Sequence, residues 1–101
     1  MIPKPLLRPI TVLQAIADQY GITVAEIQGV HRDKKTAKVR AIAAICLRDL
    51  CELPSTRTGE LLGGKDHSTI LYAWKKANLL ILDVEHMKAI LTFNHQEINP
   101  S

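Results

Sequence analysis

Four short polar residues, Asp66-His67-Ser68-Thr69, follow the glycine pair Gly63-Gly64 and precede an apolar stretch. Glycines adopt backbone angles that other residues avoid, so the pair permits a tight turn. On one exposed helical turn, the four polar side chains can exchange hydrogen bonds with base edges in the major groove of DNA. The chemistry that they suggest is recognition of a nucleic acid. A simpler interpretation, in which His67 is only solvated and Ser68 and Thr69 only cap the helix, stays open at this point.

The segments on either side of this turn predict a helix-turn-helix over about residues 55–77. After a proline, Ser55 or Thr56 can cap a short helix that ends at the glycines. A second helix is expected because apolar residues, including Trp74, then recur with helical spacing. Asp66 suits the N-cap of that helix, where its carboxylate can accept hydrogen bonds from the first-turn amides. The polar first turn then faces outward, and we predict that Trp74 faces the core.

The remaining elements are also predicted to be helices. Thr23 and Glu26 have the spacing of a capping box, and no segment alternates as a strand would. The final helix should begin near Asp83, and its expected packing residues are Leu82, Met87, Ile90, Leu91 and Phe93. The predicted fold is therefore all-α, a compact bundle of five to six helices. The other predicted helices span residues 10–20, 24–28 and 36–51.

The domain is expected to occupy residues 10–93, between an N-terminal extension (1–9) and a C-terminal tail (94–101). Residues 31–35, His-Arg-Asp-Lys-Lys, contain nothing apolar and are predicted to form a surface loop. Lys34 and Lys35 are the loop residues best suited to contact a ligand, although charged loops are commonly only solvated.

Positive charge is concentrated in the middle of the chain. Thirteen lysines and arginines against ten acidic residues give a net charge of +3, whereas residues 31–76 alone carry +5. Such asymmetry is expected where a protein meets a phosphate backbone or another anion. A solvated helix surface is the alternative interpretation of the same charges.

Other classes of site find little support in the sequence. Cys46 and Cys51 stand five apart without metal-binding spacing, and the four histidines form no paired-ligand motif, so no metal or other cofactor is expected. The cysteines suit core thiols in a reducing cytoplasm. Prolines 3, 5 and 9 interrupt the apolar N-terminus, so neither a signal peptide nor a membrane partner is expected.

Catalysis is not expected either. The chain has no phosphate-binding P-loop motif, so we predict no nucleotide partner. No oriented nucleophile and base and no pair of carboxylates can be identified, so no catalytic residue is assigned and the protein is predicted not to be an enzyme.

The run Gly63-Gly64-Lys65-Asp66-His67-Ser68-Thr69-Ile70-Leu71-Tyr72-Ala73 resembles the signature of the C-terminal DNA-binding domain (domain IV) of DnaA, the bacterial chromosomal replication initiator. In that family a Gly-Gly-Arg-Asp-His-Thr-Thr-Val stretch opens the recognition helix. Upstream, Thr36-Ala37-Lys38-Val39-Arg40 resembles the family's basic loop and the start of the next helix. The resemblance covers roughly residues 10–76 and implies a TrpR-like helix-turn-helix.

The resemblance also implies roles for individual residues. Asp66, His67 and Ser68 would meet base edges in the major groove, and Thr69 would contact a base or a phosphate. The cations have implied positions too: Lys65 at the DNA backbone or an edge of the site, Lys38 in the adjacent minor groove, and Arg40 close to a phosphate. Lysine replaces the family's arginine at positions 38 and 65, which keeps the charge but loses the planar bidentate fork.

These observations together predict sequence-specific binding of double-stranded DNA by a stand-alone domain without ATPase activity, acting in replication or transcription control. A regulator, a competitor for initiator sites and a phage or mobile-element accessory remain equivalent alternatives. A second hypothesis is a protein-interaction module in which the apolar segment 79–93 binds a partner helix or a second copy of the chain.

Overall fold

The computed structural model describes residues 7–29 and 33–98, with the backbone alone for residues 94–98. These residues form α-helices and one short 3-10 segment, with no strand among them, which confirms the predicted all-α fold. The 3-10 segment, Ala77–Leu80, joins the last two helices. The helices are α1 (Pro9–Tyr20), α2 (Val24–Gln28), α3 (Lys34–Cys51), α4 (Ser55–Leu61), α5 (His67–Lys75) and α6 (Ile81–Ile98).

Helix α3 is the centre of the bundle, and each of the other α-helices packs against it. Its residues 42–47 are all buried, so this stretch is covered on every side rather than along one stripe. Leu13 and Ile16 of α1, Ile27 of α2 and Met87 of α6 complete the core around it. Apolar spacing predicts this helix as the longest one and as the centre of the core. Its central position is confirmed, but α6 is equally long, at 18 residues.

The first two helices end where local signals place them. Helix α1 has Pro9 in its first turn and stops at Gly21, whose φ of 68° is left-handed. Helix α2 has the predicted capping box, since Thr23 Oγ1 accepts from the Glu26 amide at 3.0 Å and Glu26 Oε1 accepts from the Thr23 amide at 3.1 Å.

The predicted loop over residues 31–35 is wrong at its second half. Asp33 is the N-cap of α3, and its Oδ2 accepts from the Thr36 amide at 3.0 Å. Lys34 and Lys35 therefore lie in the first helical turn, while residues 31 and 32 lie outside the described part of the chain. The predicted start of this helix is too late because its apolar spacing begins only at Val39. Lysines near a helix N-terminus also oppose the helix dipole and so do not signal a helix start.

Two further details differ from the sequence prediction. Neither Ser55 nor Thr56 caps α4, because the helix begins at Ser55 and Pro54 takes the N-cap position without a side-chain bond. In α6, Leu82 and Phe93 are 84% and 60% exposed instead of packing. Val84, Met87 and Leu91 form the buried stripe of α6, and at about 100° per residue Leu82 and Phe93 fall on the opposite side of the helix.

Helix α6 also begins and ends outside the expected limits. It starts at Ile81, two residues before Asp83, and continues to Ile98, which lies within the segment predicted as a tail. None of the helices in the described ranges is long and apolar enough to cross a membrane.

Cys46 and Cys51 are free thiols in the core, and burial raises the pKa of Cys46 to about 12 and that of Cys51 to about 11. An unfolded thiol loses its proton above about pH 9, whereas the folded Cys46 thiol keeps it. We therefore expect the free energy of unfolding to fall from about pH 9 upward, by about 1.4 kcal/mol per pH unit for Cys46.

Urea denaturation at pH 8, 9.5 and 10.5 measures this loss. The Cys46→Ala variant is the control, because it removes the thiol and should show a shallower fall with pH. Equal pH dependence in the two proteins would contradict the burial argument.

Candidate nucleic-acid interface

Helices α4 and α5 and the turn between them form the predicted helix-turn-helix. Gly63 and Gly64 have φ values of 89° and 77°, both left-handed, which glycine adopts without strain. The amide of Lys65 donates to the Gly59 carbonyl at 2.8 Å, which closes the turn. A Cβ on Gly59 would overlap the Lys65 carbonyl oxygen, so a side-chain-free position in α4 is what allows this close approach.

The turn also packs against the C-terminal end of α2. A Cβ on Gly63 would overlap the carbonyl oxygen of Gln28, whereas one on Gly64 would meet nothing within 4 Å. The Gln28 side-chain amide donates to the Leu61 carbonyl at 2.7 Å. The two glycines therefore differ, because only Gly63 is required for contact with another element.

The predicted recognition turn projects into solvent. Residues 66–69 are all exposed, while Ile70, the next residue, is 2% exposed and faces the core. Asp66 occupies the predicted N-cap position, but its carboxylate accepts no helix amide, and this part of the prediction is wrong. The carboxylate lies 3.8 Å from His67 Nδ1 instead, and the Asp66 carbonyl accepts from the Thr69 amide. Side-chain donors and acceptors on this turn are thus directed outward.

Trp74 fixes α5 to α3. Its indole Nε1 donates to the Ala44 carbonyl at 3.0 Å, and the Arg48 guanidinium lies 5.4 Å from the ring centroid. The side chain is partly buried and packs against the core, which confirms the prediction that Trp74 faces the core. These contacts fix the position of α5, and with it the exposed turn, relative to α3.

Lys34, Lys35 and Lys38 are exposed on the N-terminal half of α3. The Lys38 ammonium lies 3.4 Å from Asp83 Oδ2 of α6, yet 51% of its side chain remains exposed. Residues 38 and 40 are about 200° apart around a helix, so Lys38 and Arg40 point to opposite sides of α3. The structure therefore does not bring Lys38 and Arg40 to one face.

Arg40 and Lys65 instead meet at the end of α2. The Arg40 guanidinium donates from Nε to the Ile27 carbonyl at 2.7 Å and from Nη2 to the Gly29 carbonyl at 3.0 Å. Lys65 Nζ donates to the same Gly29 oxygen at 3.2 Å. Both cations thus have bonds within the protein, and their contact with DNA remains a prediction.

A shallow groove of about 190 Å³ runs between α3 and α5. Ala37, Arg40 and Ala41 border it on one side, and Thr69 and other residues of α5 border it on the other. The groove therefore adjoins both the N-terminal half of α3 and the recognition turn. Small alanine side chains leave room for a ligand backbone to approach α3.

Tyr72 and Lys76 also line the groove. The sequence predicts for Lys76 only a favourable interaction with the helix dipole or a phosphate contact, and for Tyr72 no role. Tyr72 is 61% exposed, and Lys76 Nζ lies 4.4 Å above the centre of its ring. Their positions relative to Thr69 (i, i+3 and i+7) place all three on one face of a helix, which is the signal that could have identified them.

The described residues contain no group of three or more histidine, cysteine or acidic side chains that could hold a metal ion. The arrangement that they do contain consists of an exposed polar turn, exposed lysines on the N-terminal half of α3 and a groove bordered by alanines. Such an arrangement can form hydrogen bonds and ion pairs with a polyanion.

Comparison with known proteins relates this chain to one family. Residues 9–77 match the family described as bacterial dnaA protein helix-turn-helix. The chain is similar to the chromosomal replication initiator protein DnaA of Picosynechococcus sp., with 30% identity over 91 residues, or 90% of this chain and 20% of the relative.

Two further relatives carry the same name. The protein of Treponema pallidum is 32% identical over 91 residues, or 90% of this chain and 20% of the relative. That of Pelobacter propionicus is 33% identical over 78 residues, or 77% of this chain and 17% of the relative. The chain thus spans about a fifth of the length of these relatives.

Proposed function

This chain belongs to the family of the bacterial DnaA helix-turn-helix domain, and from that premise we propose that it binds double-stranded DNA sequence-specifically. Family membership supports DNA binding as such. In the proposed complex, Asp66, His67 and Ser68 meet base edges in the major groove, and Thr69 contacts a base or a phosphate. Lys34, Lys35 and Lys38 meet phosphates, with Lys38 beside the minor groove.

The observation that carries this proposal is the exposure of the whole turn 66–69 on a helix anchored from behind. Ile70 is buried directly beneath the turn, and the Trp74 indole holds the same helix to α3. Direct readout requires polar side chains to be presented rigidly, because hydrogen bonds to base edges tolerate little displacement.

The proposal extends to the biological role. The relatives are named chromosomal replication initiator proteins, which supports a role in control of replication, with transcription control as the alternative. We propose that this domain acts by occupying DNA sites and not through ATP hydrolysis of its own.

Selection of bound sequences from a random duplex library, followed by salt titration of the selected duplex, tests the function. If about four to six phosphates are neutralised, log affinity should fall with log salt at a slope of roughly −4 to −5. A duplex of the same length and composition in scrambled order is the control and should bind more weakly. Failure to enrich any sequence, or an affinity that does not change with salt, would contradict the proposal.

A second candidate function is docking of a protein or of a second copy of the chain. Leu79, Ile81 and Leu82, at the junction of the 3-10 segment and α6, are 82%, 52% and 84% exposed. Exposed large apolar side chains clustered along the chain are typical of contact sites. This function would be favoured if the affinity for DNA did not change with salt concentration and the sedimentation coefficient rose with protein concentration.

Asp83 competes with DNA for Lys38. Its carboxylate lies 3.4 Å from the Lys38 ammonium and also accepts a hydrogen bond from the Tyr20 hydroxyl at 3.4 Å. Partly exposed ion pairs are weak, so Asp83→Asn should release Lys38 and raise affinity for any duplex by roughly 2- to 5-fold.

Fluorescence anisotropy with the selected and scrambled duplexes measures this gain. Glu85→Gln makes the same charge change on the same helix, at an exposed side chain that pairs with Lys88. It should alter the affinity less than Asp83→Asn does. Equal effects of the two variants would show that the loss of a negative charge, and not the release of Lys38, raises the affinity.

A further inference from the structure

We propose that Arg40 is a positioning residue, which sets the orientation of the recognition turn by tying the end of α2 to the helix-turn-helix. This inference rests on the proposed function and assigns Arg40 a different role from the phosphate contact expected from the family resemblance. The observation behind it is the bonding of the guanidinium inside the protein.

Arg40 is one of the groups that hold the C-terminal end of α2. A helix of five residues is too short to be stable alone, and of its last carbonyls that of Glu26 accepts from the Gly29 amide at 3.2 Å. Arg40 bonds to three carbonyls there, those of Ile27 and Gly29 at 2.7 and 3.0 Å and that of Glu26 at 3.4 Å. Hydrogen bonds from a charged donor are stronger than neutral ones, and the rigid guanidinium fork matches several acceptors at once.

The end of α2 is in turn attached to the helix-turn-helix at separate points. Gly29 O accepts from Lys65 Nζ at 3.2 Å, and Gln28 Nε2 donates to the Leu61 carbonyl at 2.7 Å. The backbone of Gln28 lies directly against Gly63, with no space for a Cβ between them. A displacement of residues 28 and 29 must therefore move the turn that leads into Asp66.

Such a displacement should affect specificity more than general affinity. Hydrogen bonds to base edges need donor–acceptor distances of about 2.7–3.2 Å, so a small shift of residues 66–69 removes them. Attraction between lysines and phosphates falls off slowly with distance and tolerates the same shift.

The experiment compares Arg40→Lys with wild type on the selected and the scrambled duplex, at several salt concentrations and well below the unfolding temperature. Lysine keeps the charge but loses the planar fork, whose separate Nε and Nη2 atoms reach the Ile27 and Gly29 carbonyls. We expect about 10-fold weaker binding to the selected duplex, less than about 3-fold weaker binding to the scrambled one, and an unchanged salt slope.

Two other variants separate positioning from charge and from stability. Gln28→Ala breaks the second attachment without changing charge, and we expect it to lower the ratio of selected to scrambled affinity as Arg40→Lys does. Arg8→Met removes a positive charge at the far end of α3, where the Leu7 amide donates to the Leu50 carbonyl. Leu50 lies about 15 Å along the helix axis from Arg40, and Arg8→Met should leave the ratio unchanged.

Different outcomes would overturn different proposals. If Arg40 contacts a phosphate, Arg40→Lys should bind both duplexes nearly as wild type does, and Arg40→Met should lower the magnitude of the salt slope by about 0.9. If Arg40 serves stability alone, binding to both duplexes should fall equally, as the folded fraction does. Either result would refute the positioning role of Arg40. The proposed function would still stand, provided that the wild-type protein binds the selected duplex in a salt-dependent way. Absence of salt-dependent binding by wild type would refute both.

Discussion

Replacing Gly63 with alanine should severely destabilise the protein. Its φ of 89° strains any other residue by roughly 1–2 kcal/mol, and the added Cβ would overlap the Gln28 carbonyl oxygen. That oxygen belongs to a backbone segment held by Arg40 and by the Gln28 side chain, so it cannot move without breaking their bonds. We expect a total loss of about 3–5 kcal/mol in the free energy of unfolding, measured by urea denaturation.

Gly64→Ala is the matched control. Its φ of 77° carries a similar conformational strain, but a Cβ there would meet no atom within 4 Å. The expected loss is therefore only about 1–2 kcal/mol. Similar losses for the two alanine variants would mean that the close approach of the turn to α2 does not exist in solution.

Alanine at His67 or Ser68 should weaken binding to the selected duplex by about 1–3 kcal/mol and binding to the scrambled duplex hardly at all. The reason is that both side chains are exposed on the recognition turn, where they can bond to base edges but add little to the core. Thermal unfolding should be nearly unchanged, because the substitutions remove exposed atoms. Fluorescence anisotropy with both duplexes, at fixed salt, measures the difference.

Lys34→Ala provides the contrast. A lysine that neutralises one phosphate should weaken binding to both duplexes alike and lower the magnitude of the salt slope by about 0.9. Equal losses on the two duplexes for His67→Ala and Ser68→Ala would remove the base-reading role of the recognition turn. Comparing the turn variants with Lys34→Ala therefore separates recognition of base edges from general attraction to the DNA phosphates.

The helices and several of their ends could be predicted because the responsible interactions join residues close in sequence. The capping box of Thr23 and Glu26 spans three residues, and Gly21 ends α1 without a long-range partner. Helical spacing of apolar residues likewise predicted that Leu13, Ile16 and Ala17 of α1 are buried, although Ile10 of the same stripe is 58% exposed. The exposed turn 66–69 followed in the same way, since polar residues precede an apolar helical face.

The sequence by itself thus determined the all-α fold, the glycine turn and the polar turn after it, because local backbone preference and apolar periodicity specify these features. Only the tertiary structure decided what the cations do. Arg40 and Lys65 share the Gly29 carbonyl across 11 and 36 positions of the chain, and Lys38 pairs with Asp83 of α6. Such bonds depend on how α2, α3, α5 and α6 pack, since a charged side chain bonds to whichever partner the fold places within its reach.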